Sequence, residues 1–160
     1  MGQRMRVCVV LFAAVLGCGP STSKPVISQI DPNDPRMNAA IAKARATVQE
    51  FIAVLKAPKP SYYGFSVKLA FTDGDVTEHM WLMPITFDGT HFHGTVNNQP
   101  EKLTNVTLGQ KVAIDPATIT DWMYIDDLIL VGGQTLRAVR DSLPVADRAE
   151  FDKSLPFIVE

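Results

Sequence analysis

Cysteine is almost absent from the sequence, and its two occurrences both lie near the N-terminus. Cys8 and Cys18 are the only cysteines among 160 residues. A scaffold held together by disulfides is therefore excluded for residues 19–160, which must bury enough apolar surface to fold without one. With 46% hydrophobic and 20% charged residues in the whole chain, that length is sufficient for one hydrophobic core.

The sequence also lacks basic runs and the short motifs of common enzyme classes. The formal net charge is −2, and lysine and arginine are scattered along the chain. A nucleic-acid-binding face needs clustered positive charge, so no nucleic acid is expected as a partner. Serine-hydrolase, Walker, zinc-protease and Cys-x-x-Cys patterns are missing as well. The sequence therefore predicts no cofactor and no metal ion, and it names no reaction.

The first residues have the pattern of a bacterial lipoprotein signal. Arg4 and Arg6 precede an uncharged apolar run at residues 7–16, which is about half the length needed to span a bilayer. Cys18 follows Gly17 directly and resembles a lipobox cysteine, with Val15 where leucine is more usual. We expect residues 1–17 to be a signal peptide and Cys18 to carry lipid. A plain signal peptide with an incidental cysteine is the alternative.

This pattern also predicts a place in the cell. Several acyl chains on Cys18 would anchor the protein durably in a membrane of the cell envelope. Residue 19 is glycine and not aspartate, which by resemblance to Gram-negative sorting rules favours the outer membrane, facing the periplasm. Residues 18–33 are rich in Ser, Thr, Pro and Lys and predict a flexible tether. Residues 34–160 are then a single domain, with an envelope protein or a small ligand as its partner.

The periodicity of residues 34–160 predicts an α+β fold. Asp34 and Pro35 suit the start of a helix, and apolar residues recur every three or four positions as far as Leu55. We expect this amphipathic helix to pack on a curved, mainly antiparallel sheet of five or six strands, followed by short C-terminal helices. Residues 134–142 favour a helix, with a strand as the alternative.

Residues 76–98 predict a hairpin around which the chain is organised. The pair Asp88-Gly89 is typical of a two-residue type I′ turn, which would place Phe87 opposite Thr90. Trp81 would then share a core-facing surface with residues 83, 85, 92 and 96. Alternation in residues 65–71 prefers a three-residue turn at residues 73–75, because that turn puts their apolar side chains on the same side as Trp81.

The histidines invite a metal-site hypothesis that the predicted register weakens. His91 and His93 alternate onto one strand face, and neutral imidazole binds zinc well. His79 lies on the opposite face and far along the strand, so a two-histidine site would need further ligands from elsewhere. We expect His79 instead to be a hydrogen-bonded, half-buried histidine whose cross-strand neighbour Asn98 fixes its tautomer.

Two further groups of residues could carry chemistry or only structure. Asp121-Trp122 could line a pocket, or Asp121 could accept backbone N–H bonds at the start of a strand. Gly132-Gly133 before a helix with Arg137 is typical of an anion site, or the glycines form a tight turn and Arg137 pairs with a buried carboxylate such as Asp121. Glu78 and His79 are neighbours on a strand, so they point to opposite faces.

Several phrases resemble a bacterial family called domain of unknown function 2314. They include Glu78-His79-Met80-Trp81-Leu82, Asn97-Asn98-Gln99-Pro100-Glu101, Thr120-Asp121-Trp122-Met123-Tyr124 and Val131-Gly132-Gly133. The likeness covers about Asp34 to the C-terminus. It implies an α+β domain, often secreted or lipidated, and it brings over no catalytic residue.

These observations favour a non-catalytic binding or interaction module. The candidate binding residues are Glu78, His79, Trp81, Asn97, Asn98, Asp121, Trp122 and Arg137. One alternative is an envelope hydrolase that uses Glu78 or Asp121 with His79. Another is an immunity or inhibitor protein. An enzyme should place two titratable groups with shifted pKa values in one pocket, whereas a binding module should expose an apolar patch.

Overall fold

The computed structural model describes residues 34–160. The predicted signal peptide, the expected lipidation site at Cys18 and the predicted tether lie outside this range. Within it, the helices are α1 (Pro35–Ala46), α2 (Val48–Lys56), α3 (Gln134–Ser142) and α4 (Val145–Lys153). The strands are β1 (Tyr62–Asp73), β2 (Val76–Leu82), β3 (Thr86–Phe87), β4 (Phe92–Thr95), β5 (Lys111–Ile114), β6 (Ile119–Asp126) and β7 (Ile129–Gly132). None of the helices in this part of the chain is long and apolar enough to cross a membrane.

The N-terminal helix begins as its sequence predicts and is interrupted once. The Asp34 carboxylate accepts a hydrogen bond from the Arg36 N–H at 2.8 Å, and Pro35 occupies the first turn. The expected single helix divides at Thr47, whose hydroxyl donates to the Lys43 carbonyl at 2.9 Å. A hydroxyl that bonds to the preceding turn competes with the backbone hydrogen bonds of a helix. The helix is therefore interrupted at Thr47, between α1 and α2.

The α+β class is confirmed, with the N-terminal helix packed on a sheet. The strands form two antiparallel sheets in place of the expected one: sheet A has the order β2-β1-β6-β7, and sheet B has the order β3-β4-β5. The chain passes from sheet A to sheet B just after β2, at Met83-Pro84. Proline has no N–H to donate, so the ladder of β2 cannot continue through this position.

The main core lies between α2 and the two sheets. Phe51 of α2 is fully buried, stacks on Trp122 of sheet A at 5.2 Å between ring centroids, and meets Phe92 of sheet B at 5.7 Å. A smaller apolar cluster on the other face of sheet A contains Ile125, Leu130 and Val159. We call the face of sheet A that holds Trp122 the inner face, and the opposite face the outer face.

The turn between β1 and β2 differs from the prediction. Asp73 pairs with Val76, so the loop has two residues and not three. Val67 is consequently opposite Leu82, and both are fully buried on the inner face. Trp81 pairs with Lys68 on the outer face, and the prediction that Trp81 belongs to the core face is wrong. Two apolar side chains of β2, Met80 and Leu82, gain full burial in the observed register.

The turn at Asp88-Gly89 also differs. Phe87 pairs with Phe92 and not with Thr90, so four residues form the loop. The Asp88 carboxylate accepts hydrogen bonds from the Thr90 and His91 N–H groups, both at 2.8 Å. Aspartate commonly stabilises loops in this way, and here it favours the longer connection over a type I′ turn.

Candidate functional site

The candidate binding residues do not converge on one site. Sheet A divides them: His79, Trp81 and Asp121 lie on its outer face, and Glu78 and Trp122 lie on its inner side. Asn97 and Asn98 lie beyond the edge of β2, and Arg137 lies on α3. Three further residues lie beside them on the outer face: Lys68, Thr120 and Thr135. The sequence did not predict a role for any of these three. We call these six residues the outer-face cluster.

Asp121 is the centre of the outer-face cluster. Its carboxylate is fully buried and accepts hydrogen bonds from the N–H groups of Gln134 at 3.0 Å and Thr135 at 2.7 Å. It also accepts the Thr135 hydroxyl at 2.7 Å and the Trp122 N–H at 2.9 Å. Gly133 caps α3 without a side-chain hydrogen bond, so Asp121 satisfies the first N–H groups of the helix from a neighbouring strand.

The electrostatic environment of Asp121 contains opposing contributions. Burial raises the pKa of Asp121, while the bonds from Thr135 and Trp122 and the nearby Lys68 ammonium oppose that rise. The four donated hydrogen bonds leave little capacity on its oxygens for a substrate. The interpretation of Asp121 as a backbone acceptor therefore fits the geometry.

Lys68 is the principal residue of the cluster that sequence reasoning missed. It pairs with Asp121 across β1 and β6, and its ammonium donates to the Thr135 hydroxyl at 3.3 Å. The same ammonium lies 5.4 Å from the centroid of the Trp81 ring. Burial lowers the pKa of Lys68, and Asp121 opposes this shift. In the sequence Lys68 is an ordinary polar residue of an alternating strand, and only the register brings it to Asp121.

His79 has a different partner from the one predicted. Its Nδ1 lies 3.1 Å from the Thr120 hydroxyl, whereas the side-chain oxygen of Asn98 accepts the Trp81 N–H at 3.0 Å. Partial burial of the ring lowers the pKa of His79, with a smaller contribution from the Lys68 charge. The expected His79–Asn98 pair is wrong because Leu82 pairs with Val96, and this register does not place Asn98 opposite His79.

Glu78 has a structural role in the loop after Asn98. Its carboxylate accepts the N–H groups of Glu101 at 2.9 Å, Lys102 at 2.5 Å and Leu103 at 3.2 Å. A carboxylate that accepts three backbone donors fixes the loop against β2. Asn97 is exposed, and its backbone N–H donates to the Trp81 carbonyl at 3.0 Å.

Trp122 and Arg137 also hold the fold together. The indole N–H of Trp122 donates to the Ala44 carbonyl at 3.0 Å, which ties β6 to α1. Arg137 donates to the carbonyls of Leu130 at 2.7 Å, Gly132 at 3.0 Å and Glu160. The prediction that Arg137 pairs with Asp121 is wrong, since its guanidinium is directed at backbone oxygens near the end of the chain.

Two clefts of the described residues lie away from the outer-face cluster. The larger, about 710 Å³, runs between the α1–α2 helices and the loops of sheet B. The smaller, about 440 Å³, lies on sheet B beside His93. His93 contacts the Asp88 carboxylate at 2.7 Å, and residues 34–160 contain no group of three His, Cys, Asp or Glu side chains placed to hold a metal ion.

Comparison with known proteins identifies a family. The model of a family described as "uncharacterized protein conserved in bacteria (DUF2314)" matches residues 34–157. The chain belongs to the DUF2314 family. The match covers nearly all of the described domain, and it includes both the Glu78-to-Asn98 region and the Asp121-centred cluster.

Two proteins similar to this DUF2314 chain come from Neisseria meningitidis and Escherichia coli. One, from Neisseria meningitidis serogroup B, is named "putative ankyrin repeat protein" and is 36% identical over 135 residues, which are 79% of this chain and 53% of that protein. The other, the uncharacterized protein YegJ of Escherichia coli K12, is 34% identical over 119 residues, covering 74% of this chain and 76% of YegJ. This chain therefore spans about half the length of the Neisseria protein. No solved structure matches this chain.

Proposed function

We propose that this DUF2314 chain is an envelope lipoprotein whose domain is a non-catalytic interaction module. The observation that carries the proposal is the state of its two candidate catalytic carboxylates. Glu78 accepts three backbone N–H groups, and Asp121 accepts three backbone N–H groups and a hydroxyl. Neither residue lines either of the two clefts described above. A general acid or base must instead reach the proton it transfers.

The hydrolase alternative has less support for the same reason. His79 and Asp121 do share the outer face, and both have shifted pKa values. However, His79 is bonded to Thr120 and Asp121 to the start of α3. These contacts join β2, β6 and α3, and neither His79 nor Asp121 lines either of the two clefts described above.

An exposed apolar surface supports the interaction module. Leu128, Ile129 and Ile158 are 55%, 36% and 55% exposed. Ile158 joins β7 as a parallel partner of Ile129, donating to the Leu128 carbonyl at 2.7 Å while its own carbonyl accepts the Leu130 N–H at 2.9 Å. We call these three residues the apolar edge. Adjacent exposed aliphatic side chains are typical of a protein contact site.

The envelope location rests on the N-terminal sequence. Arg4, Arg6 and the apolar run before Cys18 support lipidation at that cysteine, and Gly19 supports the outer membrane. A lipid anchor would keep the apolar edge near the envelope proteins it could contact. The immunity or inhibitor alternative would use the same surface, and the identity of the bound protein distinguishes it.

Site-specific crosslinking in intact cells tests the proposal. A photoreactive benzoylphenylalanine replaces Ile158 in one strain and Val145, an exposed apolar residue of α4 that is 79% accessible, in a control strain. We expect a discrete crosslinked product at position 158 that Ile129→Asp abolishes, and no such product at position 145. Equal products at both positions, or none at position 158, would contradict an interaction surface at the apolar edge.

A further inference from the structure

The larger of the two clefts is a groove that is open to solvent. It follows one side of α1 and α2, with Ile52 at its base and Phe87 of sheet B on the opposite wall. Ile52 is only 5% exposed, so it closes the base of the cleft, and the half-buried Phe87 ring supplies more of its apolar surface. A volume of about 710 Å³ is within the range that binds small organic molecules. We call this cleft the helix groove.

Positive charge lies at both ends of the helix groove. Arg45 and Lys56 line it and are 11 positions apart, which corresponds to roughly 16 Å along a helix axis. Neither forms a salt bridge with a carboxylate within residues 34–160. Arg45 donates through Nε to the Ile119 carbonyl at 2.8 Å, which fixes part of its guanidinium beside β6.

One acidic residue, Asp115, also lines the helix groove. Its carboxylate accepts the Ala117 N–H at 2.9 Å and caps a short 3₁₀ turn at Pro116–Thr118. The groove therefore carries two cations against one partly engaged anion, in a chain whose net charge is −2. Its charge is opposite in sign to that of the whole chain and favours an anionic ligand.

The Lys56 end combines charge with an apolar wall. The Lys56 ammonium lies 5.2 Å from the centroid of the Phe87 ring, and the ring itself is half-buried against the core. A ligand that places an anion at Lys56 would bring the rest of its body onto Phe87. Contacts of this kind join a charged group that fixes orientation to an apolar surface that supplies affinity.

We propose that the helix groove binds a small organic anion with an apolar, ring-sized body, its anionic group at Lys56 and its body on Phe87. This site is separate from the apolar edge, which consists of residues 128, 129 and 158. The proposal adds a small-molecule ligand to the proposed interaction module and does not depend on it.

Calorimetric titration of the full chain in lipid nanodiscs tests the site, with empty nanodiscs as the blank. The probes are 1-naphthoate, an anion with a fused-ring body, and 1-naphthamide, its neutral counterpart. We expect saturable binding of naphthoate and binding of naphthamide that is roughly tenfold weaker, the order of one hydrogen bond to a charged group. Equal affinities, or no saturable binding of naphthoate, would overturn the proposal.

Substitutions inside and outside the groove show where the probe binds. Lys56→Gln should weaken naphthoate binding roughly tenfold and leave naphthamide unchanged. Lys59→Gln is the matched control, because Lys59 lies 5.3 Å from the Tyr62 ring in a similar arrangement outside the groove. Gln49→Glu, at an exposed groove position, should also repel naphthoate. Equal losses for Lys56→Gln and Lys59→Gln, or tighter binding by Gln49→Glu, would contradict a site in the groove.

Discussion

Asp121 connects a strand, a helix and a buried cation through one carboxylate. It receives the first N–H groups of α3, and the Thr135 hydroxyl that it accepts is in turn the acceptor for Lys68. Buried charges are tolerated when hydrogen bonds and an opposite charge compensate for lost hydration. Lys68 and Asp121 therefore depend on each other, and removing either charge leaves the other uncompensated.

Asp121→Asn should destabilise the fold by about 2–4 kcal/mol, because one oxygen becomes a donor facing the Thr135 N–H and Lys68 loses its counter-charge. Urea unfolding followed by circular dichroism measures the change in the free energy of unfolding. Asp126→Asn is the matched control on the same strand, since Asp126 accepts only the Ser61 hydroxyl, at 2.7 Å. The Asp126→Asn substitution should lower the free energy of unfolding by about 1 kcal/mol. Equal losses for the two variants would show that Asp121 has no special role.

The junction of β7 and α3 depends on close packing of backbone against Trp122. Gly132 has a φ of +75°, and a Cβ added there would lie 2.4 Å from the Trp122 carbonyl oxygen and 2.6 Å from its ring. The Gly133 N–H donates to the same carbonyl at 2.8 Å. This contact starts α3 directly over Asp121, so the glycine positions the whole helix.

Gly132→Ala should therefore cost well over the roughly 1–2 kcal/mol of a left-handed alanine, since the carbonyl it would strike is backbone. Gly74→Ala separates the strain of a left-handed backbone from the steric clash with Trp122. Gly74 has a φ of +59° and nothing within 4 Å of an added Cβ, so that variant measures backbone strain alone. Thermal unfolding of both proteins gives the comparison. A loss at Gly132 no larger than that at Gly74 would contradict the steric role.

For the whole molecule, the proposed lipid anchor would decide where the apolar edge and the helix groove operate. A single acyl chain binds membranes weakly, whereas several hold a protein durably. Among residues 34–160 no helix can span a bilayer, so the proposed anchoring depends on the N-terminal segment.

Cys18→Ser should move the protein from the membrane fraction to the soluble fraction after cell breakage and centrifugation, because the sulfur that would carry the lipid is lost. Cys8→Ser is the control, since that cysteine lies within the proposed signal peptide, and it should leave the distribution unchanged. Retention of the Cys18→Ser protein in membranes washed with high salt and carbonate would refute the lipoprotein proposal.

Much of the fold could be predicted from the sequence, but less of the candidate site could be predicted. The helix at residues 134–142 and the Asp34–Pro35 helix start follow from periodicity and capping. The partner of His79, the face of Trp81 and the role of Arg137 could not be predicted, since each depends on contacts between residues far apart in the chain. A shift of one residue in the turn at Asp73 was sufficient to reverse the face of a strand.

Local patterns are therefore enough to define the α+β class, the start of the first helix and the helix at residues 134–142, because periodicity, caps and turn residues act over a few neighbours. The pairing of Lys68 with Asp121, the division into two sheets at Pro84 and the groove beside α2 arise only when distant segments pack. Register and packing depend on the total apolar surface that is buried in the whole core. A short segment of the chain does not determine that total.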